Sequence, residues 1–98
     1  MKKVDEVYTP DFIEKIWGNY TENNYLKAIP VKRKKRLAVF LKILDEFNFS
    51  KKYSEKEVNE IIQKFHEDYC LIRREMVEEG FMDRKDGIYW RREFEIHF

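Results

Sequence analysis

Glu79-Gly80-Phe81-Met82-Asp83-Arg84-Lys85-Asp86-Gly87-Ile88-Tyr89-Trp90-Arg91 is the stretch that decides the fold. Gly80 is a helix stop, because a residue without a Cβ enters the left-handed conformation at no steric cost. Asp86-Gly87 then lies between Phe81 to Arg84 and Ile88 to Arg92. Asp-Gly favours the tight two-residue turn, so a β-hairpin is predicted directly after a helix. Beyond it Phe94, Ile96 and Phe98 alternate with Glu93, Glu95 and His97. That is the period of a strand with one apolar face.

Upstream of the hairpin, Tyr69, Ile72, Met76 and Val77 form the stripe of a helix that ends at Gly80. Ser54-Glu55-Lys56-Glu57 reads as a capping box, followed by Val58, Ile61, Ile62 and Phe65 at helical spacing. The two stripes stay in phase and no Gly or Pro separates them, so one long helix is an alternative. The reading adopted breaks them near Phe65 to Asp68, with Asp68 as cap. A central helix is predicted from about Val31 to Phe47, with Leu37, Phe40, Leu41, Leu44 and Phe47 as core and Val39 and Ile43 widening the face. Thr9-Pro10-Asp11 opens a first helix carrying Phe12, Ile13, Ile16 and Trp17, with Gly18 as its stop. Residues 19–30 read as irregular.

Helix, capped helix, short break, helix, glycine and hairpin is the order of a winged helix-turn-helix. The expected fold class is therefore α+β, mainly α: a winged helix-turn-helix-like domain with an extra N-terminal helix and a C-terminal β-hairpin and strand. We read 1–98 as one domain, with 1–25 an N-terminal extension, 26–92 the core and 93–98 a terminal strand. In such an arrangement the third helix is presented to the DNA major groove and the hairpin flanks it.

Composition narrows the function. The 98 residues are 43% hydrophobic and 16% aromatic, which suits a packed core. Twenty Lys and Arg against 19 Asp and Glu give a net charge of +1, so any affinity for a polyanion must be local. The longest apolar run, Leu37 to Leu41, is far below the roughly 20 residues of a membrane span. Met1-Lys2-Lys3-Val4-Asp5-Glu6 lacks an apolar segment, and Cys70 is the single cysteine. Both features lead us to expect a cytoplasmic chain without a secretory signal or disulfide. Three scattered glycines cannot build a phosphate loop. His66 and Cys70 stand four apart on one helix, but only His97 could join them among His and Cys, so no metal site or cofactor is expected. Cys70 reads instead as a small core residue. No nucleophile constellation supports an enzyme.

The charge is strongly segregated. Residues 32–53 hold eight cations and two acids, whereas residues 54–79 hold eight acids and four cations. Lys32, Arg33, Lys34, Lys35 and Arg36 crowd the positive end of a helix dipole, where an anion would relieve them. A phosphate backbone can supply it. A solvated face whose stems cover apolar surface is the plainer alternative. Arg73 and Arg74 fall on the third helix, within reach of phosphates or guanine edges, or else paired along the helix as Arg74 with Glu78. Arg84, Lys85, Arg91 and Arg92 interleave with Tyr89 and Trp90 in the wing, a mixture suited to backbone contacts or base stacking. Packing of Trp90 and Ile88 on the core is the simpler role for those two. The acidity of the third helix weighs against base reading.

The chain also resembles an uncharacterised bacterial family catalogued as a domain of unknown function, number twenty eighty-seven. The resemblance spans about residues 26–92. It rests on Ile29-Pro30-Val31-Lys32-Arg33-Lys34-Lys35-Arg36-Leu37, Tyr53-Ser54-Glu55-Lys56-Glu57-Val58-Asn59, Asp68-Tyr69-Cys70-Leu71-Ile72-Arg73-Arg74-Glu75 and the hairpin stretch. It implies a module found alone or behind a helix-turn-helix in transcription regulators, hence gene regulation or an accessory role, and supplies no established activity. The leading expectation is a nucleic-acid-binding module, a small regulator of duplex DNA. The alternative is a non-enzymatic protein-interaction or effector-sensing module. A homodimer through the C-terminal strand or the N-terminal helix would suit a reader of palindromic sites.

Overall fold

Helix α1 (Pro10–Tyr20) begins as its sequence requires: the Thr9 hydroxyl accepts from the Phe12 amide at 3.2 Å and Pro10 occupies the first turn. These details come from a computed structural model that describes residues 7–93. Gly18 does not stop α1. The helix continues to Tyr20, and the Thr21 hydroxyl donates to the Trp17 carbonyl at 2.7 Å. The segment expected to be irregular contains a small hairpin, β1 (Thr21–Glu22) and β2 (Tyr25–Leu26). Asn23 and Asn24 form its turn with φ of 53° and 62°. Asparagine tolerates that region better than other residues with a Cβ. The Trp17 indole donates to Asn24 Oδ1 at 2.7 Å, and the Leu26 amide donates to the Phe65 carbonyl at 2.8 Å. The hairpin is thus fastened to both neighbouring layers.

Helix α2 (Arg33–Leu44) is shorter than the predicted 31–47. Pro30 stays outside it, and the chain after Leu44 tightens through bonds from the Glu46 and Phe47 amides to the carbonyls three residues back. Phe47 is buried nonetheless. Leu37, Ala38, Val39 and Phe40 are all completely buried, so α2 is covered on successive faces and is the centre of the core. Helix α1 packs against it, bringing Ile16 and Trp17 into the same cluster.

Strand β3 (Tyr53–Ser54) runs into α3 (Glu55–Ile62). Both bonds of the capping box form: the Glu57 amide donates to Ser54 Oγ at 3.1 Å and the Ser54 amide donates to Glu57 Oε1 at 3.0 Å. The Ser54 amide, and after it the Ser54 hydroxyl, hold the Glu57 carboxyl below its usual range, because hydrogen bonds to the carboxylate favour the charged form. A break follows, and α4 (Tyr69–Glu78) starts at Asp68, whose Oδ1 accepts from the Leu71 amide at 3.4 Å. The in-phase stripes therefore belong to two helices. Gly80 leaves α4 with φ of 82°.

Strands β4 (Met82–Lys85) and β5 (Ile88–Arg91) make the predicted hairpin, with positive φ at both Asp86 and Gly87. The sequence did not reveal that β3 pairs with β5, giving a three-stranded antiparallel sheet of order β3-β5-β4. The register sets Tyr53 and Arg84 beside Tyr89, and Tyr89 is the core side chain of β5. Ile88 and Trp90 consequently point to the opposite face, which corrects their expected packing on the core; Ile88 is 38% exposed. The described residues are thus α+β, with four helices and two small antiparallel sheets, an order compatible with a winged helix-turn-helix arrangement. The predicted strand at 94–98, and with it one of the two candidate dimer contacts, lies outside the described residues. No helix among the described residues is long and apolar enough to cross a membrane.

Candidate nucleic-acid interface

The basic run divides by residue type. Its arginines turn toward α4. Arg33 Nη2 lies 2.8 Å from Glu79 Oε2, and Arg36 Nε lies 3.7 Å from Glu75 Oε1. Arg36 also donates to the Val31 carbonyl at 2.7 Å. Two unfavourable placements cancel here. Cations crowd the positive start of α2, acids crowd the negative end of α4, and the fold brings them together. Tyr8 joins the same corner, donating to the Lys34 carbonyl at 3.1 Å, and burial pushes its hydroxyl pKa up. The lysines take no part in these pairs. Lys32, the N-cap residue, and Lys34 are exposed, and Lys35 is half-buried; none has an ion-pair partner among the described residues. The Lys34 ammonium stands 5.2 Å from the Phe12 ring centroid, a cation–π contact.

The two arginines of α4 go to different places. Arg73 lies inward with only 12% of its side chain exposed. It donates to Asn59 Oδ1, and its Nε sits 3.8 Å from Glu55 Oε1. It clamps α4 to α3. Arg74 is exposed. With Val77, Glu78 and, from β4, Arg84, it lines a shallow pocket of about 160 Å³ between helix and hairpin. Cys70 is exposed on the same solvent side and is not the core residue expected. Its spacing to Arg74 and Glu78 is that of a polar stripe, which the sequence could have revealed. His66 Nδ1 accepts from the Asp68 amide at 2.9 Å and so helps end the break before α4.

In the hairpin, Arg84 Nη1 donates to the Tyr89 hydroxyl at 3.5 Å, and that hydroxyl donates to Glu55 Oε1 at 2.8 Å. The Tyr89 bond raises the Arg84 pKa further. Glu55 thus touches α4 through Arg73 and the sheet through Tyr89, and its amide bonds the Gly87 carbonyl at 3.2 Å. The hairpin tip is held against the start of α3. Lys85 is exposed beside it. Arg91 is structural: Nη1 donates to the Phe47 carbonyl at 3.0 Å, its guanidinium lies 3.9 Å from the Phe49 ring centroid, and burial draws its pKa down. Arg92 faces Asp83 at 3.8 Å and is about half exposed.

Two cations went unnamed in the sequence reading. Lys51 lies over Tyr53 at 4.9 Å and Lys52 over Trp90 at 5.3 Å. Their adjacency to β3 was hidden because a two-residue strand has no readable period.

A family model for an uncharacterized protein conserved in bacteria (DUF2087) matches residues 25–91. The chain belongs to this family. The match takes in every element from β2 to β5, so the α2–α4 ion pairs, the Glu55 junction and the Arg74–Arg84 pocket all lie within the family region. Helix α1 precedes it. No curated protein and no solved structure matches the chain.

Proposed function

We propose that this chain is a cytoplasmic, non-enzymatic nucleic-acid-binding module, a small transcription regulator that grips duplex DNA chiefly by its phosphates. The observation that carries the reading is the convergence of Arg74 from α4 and Arg84 from β4 on one pocket open to solvent. Two guanidiniums from the helix and hairpin of a winged-helix-like order can share one phosphate oxygen cluster. Lys85 extends this surface at the hairpin tip. Lys32, Lys34 and Lys35 supply a second group of cations at the start of α2.

The mode is backbone-led. Glu67, Asp68 and Glu78 lie exposed on or beside α4, and acids there repel a helix inserted deep between phosphate rails. Arg73 is committed to α3, which leaves Arg74 as the base-facing candidate. Arg33 and Arg36 answer to Glu79 and Glu75, and Arg91 to Phe47, so these three contribute to shape before they contribute to binding.

Anisotropy of a labelled mixed-sequence duplex, titrated with protein at about 50 and 200 mM salt, tests the reading. Each phosphate contact steepens the log–log salt slope by about 0.9. Arg74→Glu with Arg84→Glu should weaken binding and flatten the slope by about 1.8. An unchanged slope in that variant, or no binding by the parent chain at low salt, overturns the assignment.

A further inference from the structure

The three-stranded sheet has an outer face that the core does not use and that meets the proposed DNA surface only at Lys85. Tyr89 turns inward, so its neighbours Ile88 and Trp90 turn outward along the central strand. On the β3 side, Lys52 stands over the Trp90 ring. On the β4 side, Lys85 is the cross-strand partner of Ile88. Asp83 lies opposite Trp90, but Arg92 faces its carboxylate at 3.8 Å. The result is an apolar ridge flanked by two lysines that have no ion-pair partner among the described residues.

Dimensions and charge together select an occupant. The outer strands of a three-stranded sheet lie about 10 Å apart, and an α-helix with its side chains is about 10–12 Å across. A helix laid along β5 would cover Ile88 and Trp90 with an apolar stripe and set its own flanks above Lys52 and Lys85. We infer that this face docks an acidic amphipathic helix of a partner protein, with apolar side chains on the Ile88–Trp90 ridge and carboxylates on Lys52 and Lys85. Aromatic residues ringed by charge are the usual composition of an interface centre. A nucleic-acid strand fits less well. Ile88 offers no ring for stacking, and the Trp90 ring already carries a lysine.

The test uses the whole chain and a designed helical peptide with a Leu and Trp stripe flanked by Glu rows. Its counterpart carries Lys in place of every Glu, and oligo-dT is the third probe. The readouts are peptide anisotropy and the indole N–H signal of Trp90 in a nitrogen-15 spectrum. The Glu-flanked peptide should bind and shift Trp90. Lys52→Glu with Lys85→Glu should weaken it at least tenfold and gain affinity for the Lys-flanked peptide. Both substitutions are at exposed positions, and the dispersion of the same spectrum reports that the variant is folded. Arg74→Glu with Arg84→Glu should leave peptide binding unchanged, which separates this face from the DNA surface. Equal binding of both peptides to the parent chain, or an unmoved Trp90 signal, overturns the proposal. So does a shift of Trp90 by oligo-dT that the Glu-flanked peptide does not match.

Discussion

Removing the carboxylate charges of Glu75 and Glu79 should strengthen DNA binding while barely changing stability. The substitutions are Glu75→Gln and Glu79→Gln together. In the parent chain, Arg33 faces Glu79 at 2.8 Å with 45% and 23% of the two side chains exposed. Arg36 faces Glu75 at 3.7 Å with 23% and 25% exposed. Pairs this accessible are screened by water and typically contribute about 0.2–1 kcal/mol each. Losing both therefore costs about 0.4–2 kcal/mol. A second term opposes the loss. Both acids stand at the negative end of α4, and neutralising a charge in that position returns about 0.3–1 kcal/mol each. The two terms oppose one another, leaving a net change of about 1.5 kcal/mol or less in either direction.

The binding side does not cancel. Arg33 and Arg36 sit on the same short run as Lys32, Lys34 and Lys35, and without the two carboxylates their charge adds to that of the lysines. The variant loses two negative charges near the interface, so the local charge there rises by two. The salt slope of duplex binding should steepen by up to about 1.8, with tighter binding at about 50 mM salt. Urea unfolding and duplex anisotropy on the same preparation measure both sides. Weaker binding or an unchanged slope would show that this corner is a brace unrelated to DNA. A loss of several kcal/mol would show that the pairs are far less screened than their exposure indicates.

Other perturbations separate bracing from binding. Arg91→Met removes the bond to the Phe47 carbonyl and should cost about 1–2 kcal/mol in urea unfolding while leaving the duplex salt slope untouched. Ser54→Ala should cost about 1 kcal/mol by opening the capping box, and Thr in its place should recover most of that. Glu57 has its folded pKa depressed by the same box, so its contribution is present above the unfolded value near 4.5 and is lost as pH falls through the folded value. The stability gap between the parent and Glu57→Gln should accordingly close in acid, and a gap that widened there would refute the sign. Phe40→Ala, at a completely buried site, should cost about 3–5 kcal/mol, a large share of what a small domain has.

What the sequence disclosed, and what it hid, divides along physical lines. Thr9, the capping box, Asp68 and Asp86-Gly87 are local chemistry: each side chain or turn satisfies backbone groups within a few residues, so its position in the chain suffices to read it. The central burial of α2 was legible because apolar residues fall on nearly every face. Gly18 misled because glycine permits a helix stop without enforcing one, and the Thr21 hydroxyl on the Trp17 carbonyl carries α1 onward. Strands of two residues have no period, which hid β1, β2 and β3. In Ile88-Tyr89-Trp90-Arg91 three successive apolar side chains give no phase, and only pairing with Tyr53 decides that Tyr89 goes in.

The candidate site was legible as a set of charges and illegible as a set of partners. Of the eleven cations singled out, Arg33, Arg36, Arg73 and Arg91 are taken up by groups between 14 and 46 positions away in the chain. No helical spacing or run can reveal those pairings, because they arise only when α2, α3, α4 and the hairpin meet. The same contacts explain why a helix can begin with five successive cations. The sequence reading sought an external anion to relieve that crowding, and the fold supplies an internal one from the acidic end of α4. That arrangement sorts the run by chemistry. Planar, fork-shaped guanidiniums make the internal pairs, and the lysines, strongly hydrated point charges on flexible stems, make none of them. The charges of Lys32 and Lys34 stand exposed at the start of α2, while Arg33 and Arg36 spend theirs on keeping α4 in place.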